Sequence, residues 1–414
     1  MKLIDIIEFD PSEKIKKGKL TKKISMENLI ANEKFIDGYE IKKFDSGSKF
    51  RNEDILFARI TPCLENGKTS KVTILDQNEI GYGSTEFIVL RGKKNTNSDF
   101  VYYLSRSNIF RAKAIKCMEG TSGRKRVNED ALKLFEMDLP NSVQQKKISE
   151  YLNCFDEIIK NNIKINFLLN SIIKQIFSYW FTQFDFPNQE GLPYKSNGGK
   201  MKNCEKLNIE IPVNWKTGKF EDILDELESG DRPGGGVSQF LDGVPSIGAE
   251  NILGIGKYEY GSEKFTPVEY FEKMKMGKVK SNDVLMYKDG ASLGRVSMFK
   301  NNFPYEKCSI NSHVFILRSK NMVSQNYLYY WLDQDFIKKL IISIGRKAAQ
   351  PGINQDDVKG LPILIPDQKT IINFDNLINS KIDMIFNNST ANRKLSLDRD
   401  WYLNKLINKN ITIS

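Results

Sequence analysis

A chain of 414 residues has room for two hydrophobic cores, and its five cysteines (63, 117, 154, 204, 308) lack any CxxC pair, which excludes a disulfide frame or thiolate zinc site. Lys and Arg outnumber Asp and Glu 62 to 52, a net charge of +10 with pI near 9.0, which favours a polyanionic partner. No run of about 18 apolar residues is present, and the acids within MKLIDIIEFD argue against a secretory leader, so a reducing cytoplasm and no membrane are expected.

Residues 1–140 alternate short apolar runs with turn signals. DILFARI (54–60) and EFIVL (86–90) read as strands, and DFVYYLSRSNIFRAKAI (99–115) as helix. Residues 143–181 contain neither Gly nor Pro and carry a seam stepping 4, 3, 4, 3: Ile148, Leu152, Phe155, Ile159, Asn162, Asn166, Leu169, Ile173, Ile176, Trp180. A 3.5-residue period asks for a partner helix alongside, over a length of about 55 Å. Asn162 and Asn166 place two amides mid-seam, where each needs a polar partner. FPNQEGLPYKSNGGKM (186–201) then reads as a linker, and a new domain opens near Ile211-Pro212 with Trp215.

The second half repeats the first. Met26-Glu27-Asn28-Leu29 answers Ala249-Glu250-Asn251-Ile252, DILFAR at 54 answers DVLMYK at 283, and Gly67-Lys68 answers Gly294-Arg295. Phe100-Val101-Tyr102-Tyr103-Leu104 answers Tyr327-Leu328-Tyr329-Tyr330-Trp331, and Val127-Asn128 answers Ile353-Asn354. Leu139-Pro140 answers Ile365-Pro366, and Gln145-Lys146 answers Gln368-Lys369, all in order at offsets of 223 to 229. A second long helix follows to about Lys409. Its seam is weaker (Ile371, Phe374, Ile378, Ile385, Asn392, Leu406) and its middle is polar around Asn387, Asn388, Ser389 and Asn392. Packed antiparallel, the two helices would bring their polar centres face to face.

Catalytic patterns are missing. The single histidine, His313 in INSHVFIL, supports no triad and reads as a satisfied strand residue. PCLENGKT (62–69) has Pro62 where a phosphate loop needs its first glycine, and the glycines of ESGDRPGGGV (228–237) read as a loop. No Asn/Asp-Pro-Pro-aromatic motif is present, and Glu40-Ile41-Lys42 has nuclease spacing without a partner aspartate. Binding features are better supported. Arg59 and Lys68 bracket the loop after the first strand, and Lys288 and Arg295 bracket its repeat. Gly120-Thr121-Ser122-Gly123-Arg124-Lys125-Arg126 is a basic loop whose counterpart, 344–352, carries Arg346 and Lys347. With Arg232, these cations suit contacts to phosphate and guanine; a solvated charged surface is the plainer alternative.

DILFARITPCLENGK with its twin DVLMYKDGASLGR, the domain exits DLPNSVQQKKISEYL and LPILIPDQKTI, and SYWFTQFDF followed by IPVNW together resemble the specificity (S) subunit of type I restriction-modification systems, over almost the whole chain. The resemblance implies an α+β fold with two α/β target recognition domains in pseudo-two-fold repeat, separated by two long antiparallel coiled-coil helices. The expected parts are domain one at 1–140, helix one at 141–186, a linker at 187–206, domain two at 207–366 and helix two at 367–410. It also implies a non-catalytic chain without cofactor or metal, reading a bipartite site in double-stranded DNA. Two methyltransferase subunits, and restriction subunits through them, would be its partners. A stand-alone repressor and a cryptic nuclease using Glu40 and Lys42 are the other classes the residues allow.

Overall fold

The computed structural model describes every residue except 122, 206–208, 232, 235, 238–239, 262, 347–350, 410 and 414. The chain forms two compact units, Met1–Asn161 with Asn392–Ser414, and Asn162–Ala391.

In the first unit, β1 (Ile7–Phe9), β2 (Ile55–Ala58), β3 (Thr69–Lys71) and β4 (Phe87–Gly92) form an antiparallel sheet in the order β1-β4-β2-β3. Its central strands are apolar at consecutive positions because both faces are covered. Ile55, Phe57, Ile88 and Leu90 enter one core with Leu3, Phe100 and Tyr103, while Leu56, Phe87 and Val89 enter another with Ile24, Phe50 and Val72. A second four-stranded sheet closes this second core, with Leu20–Ile24 parallel to Gly81–Gly83. The helix expected over 99–115 is two helices, Ser98–Arg106 and Asn108–Lys116. Ser107 leaves helical geometry between them, and its side chain accepts from the Phe110 N–H to cap the second.

The second unit repeats this plan. Strands β5 (Leu224–Ser229), β6 (Asp283–Tyr287), β7 (Val296–Phe299) and β8 (Val314–Ser319) pair in the order β5-β8-β6-β7. Val284, Met286, Phe315 and Leu317 face one core, and Leu285, Val314 and Ile316 another. Val244–Ile247 runs parallel to Ser309–Ile310, as its counterpart does in the first unit. Even the buried clamp recurs. Arg91 grips Asp54 through Nε and Nη2 at 2.6 and 2.7 Å, and Arg318 grips Asp283 through the same atoms at 2.7 and 2.6 Å.

Part of the expected linker is ordered against the second unit. Asp185 accepts from the Ser196 N–H and hydroxyl (2.8 and 2.6 Å), Phe186 stacks on Tyr194 and Trp215, and Met201–Cys204 pairs with Ile209–Pro212. Phe186 and Tyr194, within a Pro- and Gly-rich stretch, supply the anchor, which packs against Trp215.

The two long helices, Ser142–Phe181 and Gln368–Ile407, contribute to both units and run antiparallel in each. In the first unit Tyr151 meets Tyr402 (5.3 Å between rings), Asp156 meets Arg399, and the Ile159 carbonyl accepts from Asn392 at 3.5 Å. In the second, Trp180 meets Phe374 (5.9 Å) and the expected polar centre forms. Asn166 donates to Ser389 Oγ (3.1 Å) and to the Ile385 carbonyl (3.2 Å), and its Oδ1 accepts from Asn388 at 2.9 Å. The second seam is complete once Ile382, Ser389, Ser396, Arg399 and Leu403 are added to it. It looked weak because two serines and an arginine, the arginine fully buried here, hold positions that apolar periodicity skips.

Candidate nucleic-acid interface

Three loops meet at the end of each central strand, tied by the same backbone bonds. In the first unit the Arg59 N–H donates to the Glu86 carbonyl (3.0 Å), the Val127 N–H to the Arg59 carbonyl (2.9 Å) and the Thr61 N–H to the Lys125 carbonyl (3.1 Å), while Ile60 bridges Arg126. In the second, Lys288 donates to His313 (3.1 Å), Ile353 to Lys288 (2.9 Å) and Gly290 to Pro351 (3.0 Å), while Asp289 bridges Gly352. Residues 59, 60, 86 and 126 therefore correspond to 288, 289, 313 and 352. The basic loop that ends at Arg126 and its counterpart hang from the same point.

The ten cations expected on DNA divide sharply. Lys68 Nζ donates to the Met26 carbonyl (3.0 Å) and Arg295 Nη2 to the Ala249 carbonyl (2.9 Å), each bracing a short 3-10 turn, Met26–Asn28 or Ala249–Asn251. Asn28 and Asn251 complete those turns by accepting from the Ser25 and Gly248 N–H groups at 2.8 and 3.0 Å. Arg59 turns inward to Glu129 (3.2 Å), and Lys288, half-buried, lies over the Phe315 ring at 4.9 Å. Arg126 is outward and held by Glu86. Its Nε lies 3.1 and 2.9 Å from the two carboxylate oxygens and its Nη2 2.6 Å from one, and this bonding keeps the Glu86 carboxyl below its usual range. Arg124, Lys125 and Arg346 are exposed and make no ion pair among the described residues. Arg232 and Lys347 lie outside the described residues.

His313 departs from expectation. It precedes β8 in a turn, is half exposed, and places Nδ1 2.8 Å from Asp289 Oδ2. Sequence reasoning also passed over KIKKGKLTKK at 14–23, where Lys14, Lys16 and Lys19 are exposed, as is the strand Glu40–Lys43 that pairs with Leu20–Lys23. The alternation of lysines was the available signal. Within that strand Glu40 and Lys42 bond each other at 3.1 Å. Among the described residues no three of His, Cys, Asp or Glu are placed to hold a metal ion, and no helix is long and apolar enough to cross a membrane.

A family model described as the type I restriction modification DNA specificity domain matches residues 1–170 and again 212–392. The chain belongs to this family. Among relatives of this specificity-family chain, the type I restriction enzyme MjaIX specificity subunit of Methanocaldococcus jannaschii is 25% identical over 316 residues, 76% of this chain and 69% of that one. The HindI specificity subunit of Haemophilus influenzae is 22% identical over 447 aligned residues, covering 92% and 90%. The crystal structure of a type I restriction-modification S subunit from M. genitalium shares the fold, with a TM-score of 0.55 at 14% identity over 98% of this chain and 95% of that one. The two stretches matched by the family model carry the two sets of strand-end loops, each with part of the first or second long helix.

Proposed function

We propose that this chain is the DNA-reading, non-catalytic subunit of a type I restriction-modification complex, working in the cytoplasm. Residues 1–140 and 207–366 each read one half of a bipartite double-stranded site, and the long helices at 141–186 and 367–410 dock two methyltransferase subunits. Restriction subunits join through them. The observation that carries the DNA reading is one framework, built twice with the same internal bonds, presenting different side chains at equivalent strand ends. Phosphate contacts fall to the exposed Arg124, Lys125 and Arg346.

Docking is supported by a stripe on the first long helix. Tyr151, Ile158, Ile165, Ile172 and Tyr179 recur every seven residues, each between 36% and 48% exposed, a second apolar seam beside the buried one. Relatives named as subunits of restriction enzymes fit a surface of this kind. The test is reconstitution with the methyltransferase subunit of the same system, followed by methylation-aware sequencing. A single split motif is expected. A continuous motif, or methylation that does not depend on this chain, overturns the reading.

A further inference from the structure

The two units serve as each other's control. Where a side chain does the same internal work in both, it belongs to the framework: Arg91 and Arg318 on Asp54 and Asp283, Lys68 and Arg295 on the turn carbonyls, Asn128 and Asn354 as helix N-caps. At residues 60, 86 and 126, and their equivalents 289, 313 and 352, the backbone connections persist while the side chains change places. The first unit has Ile60, Glu86 and Arg126, with the carboxylate at the β4 entry holding a cation from the basic loop. The second has Asp289, His313 and Gly352; the carboxylate now follows β6, the held group stands at the β8 entry, and the loop position has no side chain.

We infer that these equivalent positions are the base-reading centres of the two units, with Arg126 and His313 as the reading groups and Glu86 and Asp289 as the residues that position them. This rests on the DNA-recognition reading above. The side chains of Arg126 and His313 are 48% and 50% exposed, so each can meet a ligand, and exposed pairs of this kind add little stability. What a carboxylate does for either is to fix its orientation before binding.

The chemistry presented differs between the units. Glu86 occupies the Nε/Nη2 edge of the Arg126 guanidinium, leaving the Nη1/Nη2 edge, a planar pair of donors. That edge matches O6 and N7 of guanine in the major groove. In the second unit an ionised Asp289 can only accept, so the 2.8 Å contact puts the proton on Nδ1 of His313. In the neutral ring Nε2 then carries a lone pair. A lone pair selects an amino group, N6 of adenine or N4 of cytosine. One half-site should therefore contain a guanine read by the first unit, and the other, read by the neutral ring of the second, an adenine or cytosine.

Motif mapping and DNA affinity with the reconstituted complex test this. Arg126→Ala should relax one guanine in one half-site, leave the other half-site intact and weaken binding roughly 5- to 150-fold, the span of one bidentate base contact. His313→Ala should relax one adenine or cytosine in the opposite half-site only. Asp289→Asn, which can also donate to the ring, should weaken that same preference without abolishing binding. Should an alanine variant unfold, Arg126→Lys and His313→Asn replace it, and their motifs decide. If the wild type reads a split motif and these variants leave it unchanged, or relax both halves together, the inference is overturned while the proposed function stands. If the wild type reads no split motif, the proposed function itself has failed.

Discussion

Arg399 on the second long helix and Asp156 on the first form an ion pair with side chains 0% and 1% exposed. Around them, Arg399 Nη2 donates to the Asn32 carbonyl (2.9 Å), the Tyr103 hydroxyl to Asp156, and Arg106 pairs with Asp400 at 3.0 Å. Burial opposes each charge, and the partners outweigh that opposition at Arg399, whose guanidinium is held firmly protonated. The pair fastens the helices to the first unit's own core. Arg399→Met alone would strand a buried carboxylate, with an expected cost of about 3–5 kcal/mol in urea unfolding. The triple change Asp156→Leu, Arg399→Met, Tyr103→Phe should recover most of that loss, because no polar group of the trio is then left alone.

Asp99 makes the first unit sensitive to acid. Burial pushes its carboxyl up, but the ammonium groups of Lys34 and Lys71, both at 2.7 Å, prevail and hold it down at about 2. A free aspartate titrates near 3.9, so the folded state is stabilised by the charge above about pH 4 and loses that contribution as pH falls toward 2. The stability difference between wild type and Asp99→Asn should therefore shrink from about pH 5 to about pH 2.5 in urea titrations. A difference that stays constant across this window would show that the charge contributes nothing.

Framework and outward cations should separate in a DNA-binding assay. Lys68→Met removes the brace on the Met26 turn, so it should lower stability by about 1–3 kcal/mol and leave the salt dependence of binding unchanged. Arg124→Ala with Lys125→Ala should do the opposite. If both cations touch phosphate, the slope of log affinity against log salt falls by about 1.8 in magnitude. Equal slopes for wild type and the double variant would assign the two charges to solvent alone.

The exposed stripe can be tested within one stretch of helix. Ile165→Asp and Ile172→Asp lie on solvent-facing positions, 40% and 44% exposed, so folding should be nearly unaffected. Association with the methyltransferase subunit, followed by size-exclusion chromatography, should be lost. Retention of the complex would place the docking surface elsewhere.

Much of the architecture was legible in the chain. The 3.5-residue seam ending at Trp180, the polar centre at Asn166, the strands at 55–58 and 87–92 and the twofold repeat all follow from the spacing and order of residues. The break at Ser107 and the packing of 187–204 were less visible, since a cap and an aromatic stack depend on where particular side chains turn. The complete second seam was hidden for the same reason. An arginine reads as a surface residue until its partner, 243 positions away, is brought against it.

Residue type and periodicity by themselves determined that this protein has two copies of one fold and two long paired helices, because apolar spacing responds to burial that each segment must find somewhere. Which cations face inward was decided only by the tertiary structure. Lys68, Arg295, Arg124 and Lys125 carry the same kind of charge on comparable loops, and nothing local distinguishes them. Their fates differ because a carbonyl from a distant turn stands 3.0 Å from Lys68 and 2.9 Å from Arg295, while Arg124 and Lys125 remain exposed without an ion pair among the described residues. A charge goes where desolvation is repaid by a partner, and such partners are supplied by the fold.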